Sequence, residues 1–250
     1  MAWLGRIAYR RAWALQEELR ARILGGEAVE TILLVEHPRV VTLGRHADRR
    51  HLLLDEAGLA AQGIELVTTS RGGDVTYHGP GQLVAYPIVR VHQGVAAYVA
   101  ALAEAVVAVV GGLGVAATYR ADRPGVWVGS RKLAAFGVHI RHGVALHGLA
   151  LNVENTSGDF APIVPCGLRD AGVTSLRELL DPAPKIDDLL LPLGEGLARA
   201  LDRPLDPARI QLSPEPAMAA LQSPTRSVEW ASKERPAPIA PIVVAGDDGR

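Results

Sequence analysis

Apolar positions recur at helical spacing between residues 8 and 23, and the run stops at Gly25-Gly26, where glycine tolerates the positive φ that ends a helix. Two β-branched runs at 31–35 and 40–43 are broken by His37-Pro38 and predict strands joined by a turn. Strands are also predicted at 64–69 and 83–91. Between these lies RGGDVTYHGPG, residues 71–81, which reads as a loop or an irregular strand edge. Residues 94–110, rich in alanine and valine, predict a helix buried on most sides and ended by Gly111-Gly112. Strands at 125–128, 132–141 and 144–153, with turns at Gly129-Ser130 and His142-Gly143, predict an antiparallel meander. After a loop at 154–168, helices are predicted at 173–180 and 186–201, the first with Thr174 or Ser175 as N-cap.

From Ser213 onward prolines, alanines and scattered charges show little periodicity and no repeat. This pattern predicts one folded domain at 1–212 and a flexible tail at 213–250. A chain of 250 residues can bury one sizeable core. Its net charge of -1 gives no electrostatic case for nucleic acid as a partner. The apolar runs look too short to span a bilayer, and the N-terminus lacks the uninterrupted apolar segment of a secretory signal. The expectation is a soluble cytoplasmic protein without a membrane role.

Strand alternation places Ala135, Gly137 and His139 on one face of the 132–141 strand, with Lys132, Ala134 and Phe136 on the other. In the next strand Gly148, Ala150 and Asn152 share a face, opposite His147, Leu149 and Leu151. If the small-residue faces coincide, they leave a slot shaped for a linear apolar ligand. The same residues would also let a helix pack closely. Cys166, the single cysteine, sits between Pro165 and Gly167 in IVPCGL. An internal disulfide is excluded, and the thiol is a potential nucleophile if a neighbouring cation lowers its pKa from about 8.5. Only three lysines are present, so Lys132 within an apolar strand is a notable partner, because lysine exchanges protons and arginine does not. A histidine could serve instead.

The strings RGGDVTYHGPGQLVAYP, PGVWVGSRKLAAFGVHI, HGLALNV and FAPIVPCGLRDAGVTSL, in this order, resemble the lipoyl(octanoyl) transferase family. The resemblance runs from the N-terminal helix through about residue 180. It implies an α/β (α+β) fold like the biotin and lipoate protein ligase catalytic domain: a mixed, largely antiparallel sheet flanked by helices. The implied reaction takes an octanoyl group from acyl carrier protein onto cysteine as a thioester, then onto a lysine ε-amine. The acceptors would be lipoyl domains of 2-oxoacid dehydrogenase E2 subunits and the glycine cleavage H protein, with no cofactor and no metal.

Carried over by matching positions, Cys166 becomes the acyl-thioester nucleophile and Lys132 the group that lowers its pKa and shuttles protons. Substrate contacts are implied from Arg71, Gly72, Gly73, Asp74, Val75, Thr76, Tyr77 and His78. Further contacts are implied from Ala135, Phe136 and Gly137, and from Gly148, Leu149 and Ala150. Backbone N–H groups at Cys166-Gly167 or in the glycine loop could hold the developing oxyanion. Either Lys132 or His78 could take the proton of the incoming amine. Asp74 departs from the family's more usual glutamine or basic residue, which leaves its side-chain contact open. The loop that by its glycines could cradle a phosphate thereby becomes a pocket wall beside a reactive thiol.

A zinc site from His139, His142, His147 and Cys166 is disfavoured, because alternation puts its members on different faces or in a turn. The basic turn GRHADRRH, 44–51, faces either an acidic protein partner or solvent. Two other functions compete: an ATP-dependent lipoate or biotin ligase of the same fold, which would not need the cysteine, and a non-catalytic module gripping an acyl or phosphate group.

Overall fold

Alternating apolar strands need both faces covered, and this chain covers them with two unlike layers. The computed structural model describes residues 1–164 and 172–222. In chain order the elements are β1 (Ala2–Arg6), α1 (Tyr9–Leu24), β2 (Thr31–Glu36), β3 (Val40–Leu43), α2 (Glu56–Ala61), β4 (Glu65–Thr68), β5 (Val75–His78) and β6 (Gln82–Ile88). There follow α3 (Val95–Gly112), β7 (Thr118–Arg120), β8 (Gly125–Val128), β9 (Arg131–Arg141), β10 (Val144–Asn152), β11 (Gly172–Val173), α4 (Leu176–Leu179), α5 (Ile186–Ala200) and α6 (Pro214–Gln222). The large sheet runs β1-β2-β6-β10-β9-β8-β7, with β11 beside β9; β4-β3-β5 form a small one. Among the described strands the parallel pairs are β1 with β2, β3 with β4, and β9 with β11. The mixed, largely antiparallel sheet flanked by helices therefore matches the expected fold class.

One face of the large sheet, through Leu34, Leu83, Leu149 and Leu151, packs with Leu102 and Val106 of α3 and Leu193 and Leu197 of α5. The other face, through Leu33, Val35, Val84 and Tyr86, meets Ala12, Leu19 and Ile23 of α1 and Ala217 of α6. The small sheet has its own core, in which Val41, Val75 and Tyr77 meet Leu59 and Phe160. The β9-β10 turn is His142-Gly143 with both residues at positive φ, the conformation whose twist suits a two-residue hairpin.

Three local expectations change and one is sharpened. β1 was not anticipated: it is short, its pairing with β2 shifts register between Trp3 and Arg6, and its partner is remote in sequence. The open choice for 71–81, loop or irregular strand edge, is settled in part for the strand edge: its middle contains β5, which pairs antiparallel with β3 at the edge of the small sheet. The predicted helix at 173–180 shrinks to α4, because Gly172 and Val173 pair with β9. Ser175 is the N-cap by position, yet its side chain does not cap; Thr174 instead donates from Oγ1 to Glu178 Oε2 at 3.2 Å. Finally, residues 214–222, read as the start of a flexible tail, form α6, with Ala217 fully buried. Prolines are tolerated in a first helical turn, and the surface that orders this helix is distant β1. Residues 223–250 lie outside the described residues.

α3 also corrects the membrane reading: it is 18 residues with mean hydropathy 2.0, long and apolar enough by length and composition to cross a membrane. Its packing is one-sided rather than all-round. Leu102, Ala103 and Val106 face the core, while Val95 is 53% exposed.

Candidate active site

The glycine-rich segment is held from inside by its own arginine. Arg71 is buried, and its guanidinium donates from Nε to Thr42 Oγ1 at 2.9 Å, from Nη2 to Thr42 O at 2.6 Å and Asp74 O at 2.7 Å, and from Nη1 to Gly72 O at 3.1 Å. The planar fork thus fixes residues 71–74 to β3 through neutral carbonyl and hydroxyl acceptors. From Val75 the chain is extended and its side chains alternate. Thr76 and His78 face a cavity, whereas Val75 and Tyr77 turn into the core of the small sheet.

That cavity, about 470 Å³ when the solvent-open space at its mouth is included, lies between the small sheet and the α1 face of the large one. Its lining includes Arg71, Gly73, Asp74, Thr76 and His78 on one side and Ala135, Phe136, Gly137, Gly148, Leu149 and Ala150 on the other. Gly137 pairs directly with Gly148, and Ala135 with Ala150, so the two small-residue faces do coincide. The glycines also serve close packing. A Cβ at Gly137 would stand 3.0 Å from Arg71 Cδ, and one at Gly148 would run into Ala85 O. Both readings of the small residues therefore hold at once: the alanines line the slot while the glycines admit the groups that wall it.

A second cavity of about 300 Å³ shares Thr76, Ala135 and Ala150 with the first and adds Gln82, Lys132, Asn152, Phe160 and Val173. Lys132 comes to it through a break in alternation. Ala134 pairs with Val126 but Lys132 with Trp127, so Leu133 is an extra residue in β9. This bulge moves Lys132 from the Ala134 face, where strict alternation placed it, to the Ala135 face. Lys132 is buried, donates to Pro124 O at 3.4 Å and stands 4.9 Å from the Trp127 ring centroid. A second break occurs at His147, whose φ of +59° turns its ring away from the side shared by Leu149 and Leu151 and toward α1.

There His147 joins a buried aromatic cluster. Its Nδ1 is 3.4 Å from Tyr9 Oη and its Nε2 3.1 Å from Ser70 Oγ. Tyr9 stacks on His78 at 5.9 Å, and His37 bonds Tyr86 Oη at 2.7 Å and Ile7 O at 2.7 Å. Because a carbonyl only accepts, His37 donates from Nδ1 and accepts from Tyr86 at Nε2. His78 likewise donates from Nδ1 to Gln82 Oε1 at 2.6 Å, leaving Nε2 as its acceptor nitrogen. Burial is the main cause that lowers these imidazoles, to about 4 for His37 and about 3 for His78 and His147. Burial also raises the Tyr9 hydroxyl to about 12. From His78 a polar chain continues: Gln82 Nε2 donates to Asn152 Oδ1 at 2.9 Å, and Asn152 Nδ2 to Thr174 O at 3.0 Å. Thr174 N in turn donates to Lys132 O at 3.0 Å.

The family model for the lipoyl protein ligase A/B catalytic domain matches residues 8–197. An octanoyltransferase from Alkaliphilus metalliredigens is 46% identical over 181 residues, covering 71% of this chain and 83% of its own. One from Chloroflexus aurantiacus is 45% identical over 206 residues, covering 78% and 92%. This chain belongs to the octanoyltransferase family. As such it is an acyltransferase. A solved structure of a bi-partite lipoate protein ligase and its E2 lipoyl domain from Thermoplasma acidophilum superposes with a TM-score of 0.67 over 88% of this chain and 89% of that one. At 17% identity that likeness shows the fold alone.

For an octanoyltransferase the candidate residues distribute unevenly. Arg71, Gly73, Asp74, Thr76, His78 and the triplets 135–137 and 148–150 line the first cavity, and Lys132 the second. Gly72, Val75 and Tyr77, also expected as contacts, are not among the cavity-lining residues: Gly72 donates its N–H to Val138 O, and the other two are core. Asp74 turns its carboxylate to the basic turn, accepting from Asp48 N at 2.9 Å and pairing with His51 Nδ1. Cys166 lies outside the described residues. The sequence reading missed Tyr9, Thr42, Tyr86 and His147 in this setting. It passed over Gln82 and gave Asn152, although placed on the small-residue face, no role; both fall inside the family-like strings and are polar positions in apolar strands.

Proposed function

We propose that this chain transfers an octanoyl group from acyl carrier protein, through a thioester on Cys166, to the ε-amine of a lysine on a lipoyl domain. The reading rests on one observation above all: a bulge at Leu133 delivers Lys132 into the second cavity, which shares Thr76, Ala135 and Ala150 with the small-residue slot. A narrow slot walled by Ala135, Ala150, Val84 and Leu149, small or apolar at each of these positions, suits an unbranched acyl chain.

In the first half-reaction the Cys166 thiolate attacks the carrier thioester carbonyl. The bond from that carbon to the carrier sulfur breaks, and the carrier thiol leaves with a proton. In the second, the acceptor amine attacks the enzyme thioester, the C–S bond to Cys166 breaks, and an amide remains. Lys132 is the group that gives and takes the protons, since an amine can exchange one within a low-dielectric pocket. His78 is a poor base there, because burial holds it neutral with a pKa of about 3. Its part is to present a neutral ring, fixed by Gln82, against the acyl head. The acceptors fitting this chemistry are lipoyl domains of 2-oxoacid dehydrogenase E2 subunits and the glycine cleavage H protein.

The test is to incubate the full chain with octanoyl carrier protein and an apo lipoyl domain, without ATP, and weigh all three proteins. Octanoylated lipoyl domain is the expected product. Failure of that transfer, together with lipoylation from free lipoate and ATP, would replace the reading with a ligase.

A further inference from the structure

The basic turn that the cavity did not absorb is built into its rim. Residues 44–51 carry Arg45, Arg49 and Arg50 against one carboxylate, Asp48, in a chain whose net charge is -1. Asp48 is taken by Arg50, at 2.6 Å. Arg45 and Arg49 are exposed and have no carboxylate within ion-pair distance among the described residues. On one side the turn is laced to the glycine loop: Arg45 N donates to Arg71 O at 2.9 Å and His46 N to Gly73 O at 3.1 Å. On the other it holds the chain that leads toward Cys166. Val164 N donates to His51 O at 2.8 Å, and Leu53 N to Pro162 O at 2.9 Å. The turn that carries the exposed arginines therefore bonds both to the glycine loop of the acyl pocket and to the described segment that precedes Cys166 in sequence, and Leu53, 58% exposed, follows it.

We propose that this rim, centred on Arg45, Arg49 and Leu53, is the docking surface for the acyl donor's carrier, an acidic protein bearing its acyl thioester on a phosphodiester-linked arm. The inference rests on the transferase reading and adds which of the two protein partners the rim receives. Exposed guanidinium groups attract both an acidic protein face and the phosphodiester, and steer their approach. The acceptor brings its reactive lysine as an ammonium, which the same arginines repel. After burial, which is the larger cause, Arg45 also lowers the pKa of His139 in β9, so its charge reaches that strand, where Glu17 opposes it. Leu53 supplies the apolar contact that a purely ionic rim lacks.

The double variant Arg45→Glu/Arg49→Glu in the full chain tests this. With octanoyl carrier protein as donor, KM is expected to rise about tenfold or more, and the wild-type salt dependence to weaken. With octanoyl-pantetheine, which has neither protein nor phosphate, kcat/KM is expected to stay within about twofold of the wild type. KM for the lipoyl domain is expected to be unchanged. A rise in acceptor KM instead of donor KM would assign the rim to the other partner and overturn the proposal, and so would an unchanged carrier KM. Loss of turnover with both donors would mean that the pocket itself had been disturbed; Leu53→Asp, which leaves the arginines in place, must then raise the carrier KM alone. Absence of octanoyl transfer by the wild-type chain from either donor would refute the transferase reading itself.

Discussion

Acidification offers a quantitative check on the buried imidazole cluster. His37, His78 and His147 are each at most 7% exposed and have folded-state pKa values of about 4, 3 and 3, lowered chiefly by burial. In the unfolded chain each titrates near 6.5. Between these values the unfolded state binds more protons than the native one, so stability falls as pH falls and is fully present only above the unfolded pKa. From pH 7.5 to 5.5 each unfolded histidine gains about 0.8 proton while the native one gains almost none, a loss of about 1.4 kcal/mol per histidine. The three together predict a loss of about 4 kcal/mol, a large share of the ~5–15 kcal/mol that holds most domains folded. Urea titrations at the two pH values measure it directly, with the m-value as a check that the unfolding transition is the same. Unfolding free energies equal to within about 1 kcal/mol would show that these rings are not held neutral by burial.

Two further outcomes follow from the cavity. Lys132→Arg keeps a positive charge but cannot exchange a proton, and is expected to lower octanoyl transfer about a hundredfold or more while the fold survives; a wild-type rate would remove Lys132 from proton transfer. Ala150→Leu projects a branched side chain into the slot opposite Ala135 and is expected to lower octanoyl kcat/KM about tenfold or more while sparing a butyryl donor, as read in a competition assay between the two. An unchanged octanoyl preference would place the acyl chain elsewhere.

What the sequence reveals of this site depends on how far each feature reaches. The pairing of small residues was legible, because β9 and β10 are joined by a two-residue turn and period-two alternation carries across such a hairpin. Lys132 and His147 broke that parity for reasons alternation cannot contain. The Leu133 bulge exists only in the register with β8, and the left-handed backbone at His147 only in the fold. Arg71 was singled out as a substrate contact, yet its anchoring partner Thr42 sits in β3, and nothing local links the two. The same holds for Tyr9, which reaches His78 and His147 from the first turn of α1. Helices with strong periodicity were found, whereas α6 was missed because its order comes from β1 at the other end of the chain.

The two-step transfer stands on an octanoyl thioester at Cys166, which a rapid-quench intact-mass measurement with octanoyl carrier protein and no acceptor would detect. The prediction is a gain of one octanoyl group, mapped by peptide analysis to Cys166, absent in Cys166→Ser and discharged when apo lipoyl domain is added. An unmodified chain at every quench time, with acceptor octanoylation still proceeding when the domain is present, would contradict it and establish direct transfer.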